Sequence, residues 1–445
     1  MFPRLAVLLL PLLLAASMRP EPAVRHIVVL SVDTLRADAV SPSSTPSITA
    51  LARDSVVFTR AFSPAPWTLP ALASAMTGVS PQVHQATGLG GRVPGRLTTL
   101  AEALRRAGFR TEALVSNPVL GPGSNLSQGF REYTAFPSAQ GEAPPSPPRL
   151  AELAAGRLRE HGKENLFLWV HFFDPHAPWE APPEYLGGSQ PPPGMGLRLG
   201  AEEHLAVRLG EREVSLEQRE WMKRLYAAEV RWVDDAVGSL LAEMKRLGIY
   251  DDSLIVLLSD HGEELWEHGT IGHGHTLYDE LLHVPFLVKL PGAGRKGEID
   301  APVSTASLPA TILDLRGAPL PAGYPAARSL RPFLAPNATP LFPEPLLATG
   351  LNRVQERQAV RFGTWKAVRW LGNGREELYD LARDPGERNN LASASPPELA
   401  EARRLLAAFE AESRKARARL RIEEREEAPL DSETLKRLRA LGYGR

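Results

Sequence analysis

The chain has 445 residues, of which 43% are hydrophobic and 23% are charged, a profile typical of an ordinary globular protein. Its formal net charge of −1 gives no electrostatic support for a nucleic-acid partner. The absence of cysteine excludes disulfides, thiolate metal ligands and cysteine nucleophiles.

The first 17 residues have the layout of a secretory signal peptide. Arg4 precedes a leucine-rich run over 5–14, and small residues follow at 15–17. The apolar run is short for a membrane span. We therefore expect residues 1–17 to be a signal peptide and the protein to be exported, either periplasmic or extracellular. An uncleaved N-terminal membrane anchor is the alternative.

Apolar runs alternate with helical patterns along the rest of the chain, which is typical of a mostly parallel sheet covered by helices. The predicted strands span 26–32, 109–116, 165–173, 253–259 and 284–290. The strongest helix is predicted over 216–247, where Ser215 and Gln218 form a capping box and Gly248 follows the last apolar position. We therefore predict an α/β fold with a large, mostly parallel sheet sandwiched by helices.

The second part of the chain predicts a smaller unit. Pro/Gly-rich stretches at 137–148 and 187–197 are typical of surface loops, and 317–346 is typical of a connector. An amphipathic helix is predicted over 397–421. We divide the chain into a main domain over 26–320 and a smaller C-terminal α+β subdomain with terminal helices over 340–445.

Polar side chains follow two of the predicted buried strands. Asp33 comes directly after the strand 26–32, and Asp260 and His261 follow the strand 253–259. Ligands bind outside the carboxyl ends of parallel strands in an open α/β sheet, so these three side chains can converge. Carboxylate and imidazole groups are metal ligands, and the sequence therefore predicts a metalloenzyme.

A candidate nucleophile lies between these strands. Pro70 is tolerated in a first helical turn, so Thr68 is predicted as the N-cap of a helix that runs to about Met76. One interpretation is that Thr68 only caps this helix. The other is that the helix N-terminus, with its free amide groups, holds a tetrahedral anion beside the Thr68 hydroxyl.

Several motifs in order resemble the sulfatase family of the alkaline-phosphatase superfamily, over roughly residues 26–392. The resemblance rests on Ser31-Val32-Asp33-Thr34-Leu35-Arg36, Thr68-x-Pro70 with Thr77-Gly78, Pro81-x-x-His84, Asp174-Pro175-His176-Ala177-Pro178, Ser259-Asp260-His261-Gly262-Glu263, Tyr278-Asp279-Glu280 with Val284-Pro285, Glu377-Leu378-Tyr379-Asp380, Asp384-Pro385-Gly386-Glu387 and Asn390-Leu391. It implies an alkaline-phosphatase-like α/β sandwich and a metal-dependent site.

The resemblance implies that Thr68 is the nucleophile, because counting back from Thr77-Gly78 places the first residue of the family's Cys/Ser-x-Pro-x-Arg motif there. Sulfatases oxidise that Cys or Ser to formylglycine, but threonine is not a known precursor, and Leu72 replaces the motif arginine. The resemblance extends to phosphoethanolamine and phosphoglycerol transferases, in which a threonine alkoxide attacks phosphorus. A phosphothreonine intermediate is therefore the expected chemistry.

The resemblance also implies the ligand set of one divalent metal ion, with Asp33, Thr68, Asp260 and His261 around it. Thr34 stands where sulfatases carry a second aspartate, and His261 replaces an amide. Imidazole suits Zn²⁺ or Mn²⁺ better than Ca²⁺, which prefers oxygen ligands. We therefore favour Zn²⁺ or Mn²⁺, with Ca²⁺ or Mg²⁺ as the alternative.

Three further histidines are candidates for the substrate site. His176 resembles the family's histidine that contacts the substrate anion. His273 and His275 bracket the place of a lysine that contacts the ester and leaving-group oxygens in sulfatases, and the sequence leaves open which of the two replaces it. Structural or surface roles are predicted for His171, His268 and His283.

The sequence thus predicts an exported metal-dependent enzyme that hydrolyses or transfers an anionic ester, with phosphoesters preferred over sulfate esters. The substrate would be a small molecule, a lipid or a glycan, without a nucleic acid or a stable protein partner. A sulfuric ester hydrolase without formylglycine is one alternative. An inactive binder of sulfated or phosphorylated ligands is the other.

Overall fold

The computed structural model describes residues 24–136, 144–292, 294–321, 329–335, 345–350 and 356–422, together with residues 425, 427, 428 and 438. The predicted signal peptide lies outside these residues, as do parts of the predicted loop 137–148 and of the connector 317–346. None of the helices in these described ranges combines the length and the apolar character needed to cross a membrane.

The described strands form one large sheet, one small sheet and a short hairpin. In chain order they are β1 (His26–Val32), β2 (Val56–Phe62), β3 (Arg110–Val115), β4 (Glu132–Ala135), β5 (Leu166–Phe172), β6 (Ser253–Ser259), β7 (Glu264–Leu265), β8 (Ile271–Gly272), β9 (Phe286–Lys289), β10 (Gly297–Ser304), β11 (Leu346–Gly350), β12 (Arg357–Phe362), β13 (Trp365–Trp370) and β14 (Glu376–Asp380).

The α-helices cover both faces of the large sheet and one face of the small sheet. In chain order they are α1 (Pro46–Arg53), α2 (Thr68–Thr77), α3 (Pro81–His84), α4 (Leu100–Arg106), α5 (Pro147–His161), α6 (Ala201–Arg208), α7 (Leu216–Arg246), α8 (Asp279–Leu282), α9 (Leu308–Leu315), α10 (Arg331–Leu334) and α11 (Pro397–Leu420).

The large sheet has the strand order β10-β2-β9-β6-β1-β5-β3-β4. Strand β9 runs antiparallel to both of its neighbours, and the other described pairings in this sheet are parallel. The prediction of a mostly parallel α/β sheet is therefore confirmed. Strand β1 lies between β5 and β6, so the carboxyl ends of these three strands meet at one edge.

The central strands are apolar because both of their faces are covered. In β1, Ile27 and Val29 contribute to one hydrophobic core, whereas Val28 and Leu30 contribute to the core on the opposite face. All residues of β1, β5 and β6 are buried. A strand that is buried on both faces is expected to be a continuous apolar run, which is why these three strands were predictable.

Strands β2, β4 and β10 were not predicted. Strand β4 lies at one end of the sheet with every residue only half-buried, and β10 lies at the other end and begins with exposed residues. Such strands lack a continuous apolar run, and they gain their hydrogen bonds from neighbours distant in sequence. The helix predicted over 216–247 is confirmed as α7, with the capping box of Ser215 and Gln218 formed.

The C-terminal subdomain is an antiparallel sheet, in the order β11-β12-β13-β14, with α11 on one face. Consecutive residues of β12 point to opposite sides: Val360 packs with Leu399 and Leu406 of α11, whereas Ala359 packs with Leu277 of the main domain. The subdomain is therefore held between its own helix and the segment that follows β8.

A buried ion-pair network fixes this junction. Lys366 of β13 is only 2% exposed, and its Nζ lies 2.7 Å from carboxylate oxygens of both Asp279 and Glu387. Arg361 pairs with the other oxygen of Asp279. The Lys366 and Arg361 charges hold the pKa of Asp279 below its usual range, although burial alone would raise it.

We expect Lys366→Met to lower the free energy of unfolding by about 3–5 kcal/mol, because it leaves the buried Glu387 carboxylate without its cation. Urea denaturation measures this change. Lys223→Met is the matched control, since Lys223 and Glu220 form a pair with side chains 40% and 65% exposed. The control should change the free energy by less than about 1 kcal/mol. Equal effects in the two variants would contradict the assigned role of the junction.

Candidate active site

Three candidate ligands meet at the carboxyl edge of the large sheet. Asp33 follows β1, Asp260 and His261 follow β6, and all three side chains are buried. His261 Nε2 lies 3.4 Å from Asp33 Oδ1 and 3.5 Å from Asp260 Oδ2. One ligand atom from each residue lies within 4.8 Å of the others. The predicted convergence of these residues therefore occurs.

Backbone hydrogen bonds fix the two carboxylates. The Asp33 amide donates to the Phe172 carbonyl at 3.0 Å, which extends the pairing of β1 with β5 by one residue. Asp260 Oδ1 accepts from the amides of His261 at 2.9 Å and Thr34 at 3.3 Å. Thr34 has a φ of 54°, and this left-handed backbone is uncommon for a threonine. The loops after β1 and β6 thus orient each other's side chains.

The carboxylate oxygens and the imidazole nitrogen that face one another in this cluster are suited to hold a cation. Asp33 Oδ1 and Asp260 Oδ2 are buried and accept no hydrogen bond from the described residues, although buried polar atoms are normally paired. His261 Nδ1 lies 2.9 Å from the Gly262 carbonyl, so Nδ1 carries the proton and the Nε2 lone pair faces the carboxylates. Two carboxylates and one imidazole form a donor set suited to a divalent metal ion.

The two carboxylates influence each other strongly. Burial, followed by the nearby charge of Asp33, raises the pKa of Asp260 to about 6. Burial would also raise the pKa of Asp33, but the imidazoles of His171, His176 and His261 outweigh this effect and lower it. Asp33 is therefore the carboxylate that is ionised most readily, and a bound cation would favour ionisation of both.

Thr68 lies beside this pair. Its hydroxyl is fully buried, 3.5 Å from Asp33 Oδ2 and 3.4 Å from His261 Nε2. The prediction that Thr68 is the N-cap is wrong: Trp67 occupies that position with an extended backbone, and Thr68 is the first residue of α2. The extended Trp67 turns the chain so that the Thr68 side chain points at the carboxylates. Capping therefore does not explain the position of its hydroxyl.

Asn117 also faces this cluster, although no motif in the sequence predicts it. It follows β3, and its Oδ1 accepts from the Val119 amide at 3.0 Å, which leaves Nδ2 facing the cluster. Nδ2 donates to Asp33 Oδ2 at 2.6 Å and lies 3.5 Å from the Thr68 hydroxyl. The available signal was its place after a strand of the same parallel sheet, followed by a proline.

His176 and His273 pack over the candidate ligands. The His273 ring centre is 4.4 Å from that of His261 and 4.9 Å from that of His176. Burial and then the neighbouring imidazoles of His261 and His176 lower the pKa of His273, and burial lowers the pKa of His176 to about 4. Both rings are therefore neutral near pH 7. Gly272 and Gly274 flank His273 with φ angles of 95° and 80°.

His275 lies elsewhere. Its Nε2 is 2.7 Å from Glu264 Oε2, and its side chain is 24% exposed. Of the two histidines that the sequence left open, His273 thus packs against His261, whereas His275 is held by a carboxylate outside the Asp33–His261 cluster. His171, which was assigned a structural or surface role, is fully buried with Nε2 3.4 Å from Asp33 Oδ2.

Two other groups of acidic and histidine side chains have alternative explanations. The arginines Arg110 and Arg157 neutralise the group of Glu112, Glu132 and His161. In the group of Glu264, His268 and Glu280, hydrogen bonds already occupy the side chains: Glu264 Oε1 accepts from the His268 amide, and His268 Nδ1 bonds to Glu280. A separate cavity of about 280 Å³ lies between α3, β12 and α11, and none of the site residues lines it.

Comparisons with known proteins identify a family and related folds. A model of the sulfatase family matches residues 25–318, and a model described as N-sulphoglucosamine sulphohydrolase, C-terminal, matches residues 267–408. A sulfatase of Formosa agariphila is 24% identical over 433 residues, covering 83% of this chain and 83% of that protein.

Two solved structures share the fold. One, described as a complex with its substrate D-glucosamine-2-N,6-O-disulfate, has a TM-score of 0.72 at 19% identity and covers 87% of this chain and 98% of that chain. The other is a phosphonate monoester hydrolase from Silicibacter pomeroyi, with a TM-score of 0.70 at 22% identity, covering 88% of this chain and 95% of that chain. At these identities the likeness concerns the fold alone.

We expect His261→Ala to lose a bound divalent metal ion, because removing one ligand leaves an incomplete donor set. Elemental analysis of protein dialysed after loading with Zn²⁺ or Mn²⁺ measures the metal content. His275→Ala is the control and should retain the ion, since His275 pairs with Glu264. Full occupancy in His261→Ala, or equal loss in the control, would contradict the ligand set.

Proposed function

The chain belongs to the sulfatase family of hydrolases, and we propose that it hydrolyses or transfers an anionic ester with Thr68 as the nucleophile and with phosphoesters preferred. The observation that carries this proposal is the position of the Thr68 hydroxyl, which is buried within 3.5 Å of Asp33 Oδ2 and 3.4 Å from His261 Nε2. A hydroxyl that only filled space would not need a carboxylate and an imidazole beside it.

Sulfatase-family enzymes use a divalent metal ion, and the proposed ligands here are Asp33, Thr68, Asp260 and His261. Zn²⁺ or Mn²⁺ is favoured because the set includes an imidazole, with Ca²⁺ or Mg²⁺ as the alternative. When bound, such an ion supplies Lewis acidity, which stabilises the alkoxide of a coordinated alcohol.

The proposed reaction uses the hydroxyl directly. Thr68 Oγ1 forms a bond to phosphorus while the ester P–O bond breaks, and the hydroxyl proton passes to Asp33 Oδ2. The leaving alkoxide takes up a proton from water and is released as the alcohol, and the resulting hydroxide takes the proton from Asp33. Water, or a second alcohol, then attacks phosphorus while the bond between Thr68 Oγ1 and phosphorus breaks. The proton of the attacking group passes to Oγ1 and regenerates the Thr68 hydroxyl, which gives hydrolysis or transfer.

The two histidines that cover the cluster have separate proposed roles. We assign contact with the substrate anion to His176. Contact with the leaving-group oxygen is assigned to His273, because its ring lies 4.4 Å from that of His261. Neutral imidazoles can donate a hydrogen bond to these oxygens without adding a fixed charge. Each histidine has a carboxylate partner, Glu263 for His273 and Glu264 for His275, so the preference for His273 rests on the packing of its ring against His261.

Helix α2 departs from the sulfatase motif one turn beyond Thr68. Leu72, which stands where sulfatases carry an arginine, is fully buried in the hydrophobic core.

A sulfuric ester hydrolase without formylglycine is the second candidate, and it is supported by the similarity to a sulfatase of Formosa agariphila. Because the same fold occurs in a phosphonate monoester hydrolase, the fold itself does not favour sulfate esters over phosphorus esters. The proposed substrate is a small-molecule, lipid or glycan ester.

We propose that residues 1–17 direct export and are then removed. N-terminal sequencing of periplasmic or secreted protein should therefore find a start near residue 18. An intact Met1 in the membrane fraction would support the anchored alternative.

We expect Thr68→Ala to abolish turnover with the fold and most of the metal retained, because a neutral hydroxyl is the weakest donor of the proposed ligand set. Thr68→Ser should keep some activity, because serine retains the hydroxyl. Thr77→Ala is the matched control: Thr77 lies in the same helix, is buried, and donates its hydroxyl to the Ala73 carbonyl. Its loss should cost about 1 kcal/mol of stability but leave turnover in place. The assay compares an aryl sulfate, an aryl phosphate and an aryl phosphodiester.

A second measurement traps the intermediate. Acid quench during phosphoester turnover, followed by peptide mass spectrometry, should find phosphate on the peptide that contains Thr68. Full activity in Thr68→Ala would exclude the nucleophile assignment. Turnover restricted to the sulfate ester would favour the second candidate, and the absence of turnover on all three esters would favour a binding protein.

A further inference from the structure

A line of buried polar side chains runs through the sheet to Asp33. Ser31 of β1 and His171 of β5 are paired in register on adjacent parallel strands, and both are fully buried. Ser31 Oγ lies 2.8 Å from His171 Nδ1 and accepts a hydrogen bond from the indole Nε1 of Trp169 at 2.9 Å. None of these three residues is used in the proposed reaction.

The direction of each hydrogen bond is determined by chemistry. The Trp169 indole can only donate, so Ser31 Oγ accepts from it. Among the described residues, Ser31 Oγ contacts only Trp169 Nε1 and His171 Nδ1, so its hydroxyl hydrogen finds an acceptor only when His171 Nδ1 accepts it. A neutral imidazole whose Nδ1 accepts carries its proton on Nε2. His171 Nε2 lies 3.4 Å from Asp33 Oδ2 and forms no hydrogen bond with another described residue at this distance or closer, so the carboxylate is the group that it faces.

These contacts give the two carboxylate oxygens of Asp33 different surroundings. Oδ2 receives the Asn117 amide at 2.6 Å and faces the Nε2–H of His171. Oδ1 accepts no hydrogen bond from the described residues and lies 3.4 Å from His261 Nε2. A partial rotation of the carboxylate would break the hydrogen bond from Asn117 Nδ2 and would move the carboxylate oxygen away from His171 Nε2.

We propose that Trp169, Ser31 and His171 form a positioning chain that selects the Nε2–H tautomer of His171 and thereby orients Asp33 for the metal ion. This inference rests on the proposed metal site. His171 is a positioning residue, because it acts through Asp33 and does not contact the substrate. Groups that orient a metal ligand from behind typically affect metal affinity roughly 10- to 100-fold.

Metal affinity is the readout that separates positioning from folding. His171→Met removes the donor at similar volume, and we expect it to weaken Zn²⁺ or Mn²⁺ binding roughly 10- to 100-fold in a chelator competition titration. His171→Gln keeps an N–H that can reach Asp33 and should restore most of the lost affinity. Ser31→Ala removes the group that sets the tautomer and should also weaken binding.

The control is His26→Met, at the opposite end of β1. His26 is buried, and its Nε2 bonds to the Gly162 carbonyl, far along the strand from Asp33. We expect metal affinity to be unchanged in this variant even where its urea midpoint falls. Nitrogen-15 chemical shifts of histidine-labelled wild-type protein should identify His171 as the Nε2–H tautomer, and Ser31→Ala should alter that signal.

Wild-type metal affinity in His171→Met would overturn the positioning chain while leaving the metal site in place. An equal loss of affinity in His26→Met would also overturn it, because the effect would then be a general loss of stability. If wild-type protein binds neither Zn²⁺ nor Mn²⁺ at Asp33, Asp260 and His261, the metal site itself is wrong and this inference falls with it. Restored affinity in His171→Gln together with loss in His171→Met would support the proposal.

Discussion

Two buried carboxylates that face the same point are the constraint on which the site depends. Asp33 and Asp260 reach the edge of the sheet from adjacent strands, and each keeps one oxygen without a hydrogen bond from the described residues. Burial of like charges is costly unless a cation or a shared proton offsets it. The Nε2 lone pair of His261 and the hydroxyl of Thr68 complete a ring of donor atoms around that point. The geometry therefore fits a positive charge at the centre.

The parallel topology explains why distant parts of the sequence supply this ring. Strands β1, β5 and β6 are neighbours whose carboxyl ends share one edge, so Asp33 after β1 and Asp260 after β6 reach the same place. Helix α2 begins against that edge, and the extended Trp67 brings in the Thr68 hydroxyl. Loop residues thus supply the reacting groups while the buried strands supply rigidity.

The sequence predicted the parts of this site that are marked locally. Asp33, Asp260 and His261 were recognisable because each follows a continuous apolar run. Asn117 and His171 were not recognisable as site residues, because each faces Asp33 only once the strands have paired. His171 lies within an apolar strand, and its pairing with Ser31 crosses between strands that are far apart in the chain. The half-buried strands β4 and β10 were missed for a similar reason: their neighbours in the sheet, and not their own composition, make them strands.

The segment between β8 and α8 has a further consequence. It carries His273 at one end, between two glycines in left-handed conformations, and Asp279 at the other, where Lys366 and Arg361 of the small sheet hold it. This stretch therefore links the subdomain, which holds Asp279, to the His273 ring that packs on His261. Glu263 and Arg208 also hold His273, so a small tilt of the subdomain would act on the His273 ring against these two contacts. Substitutions in β12 or β13 that never meet the substrate would then alter how the site accommodates a leaving group.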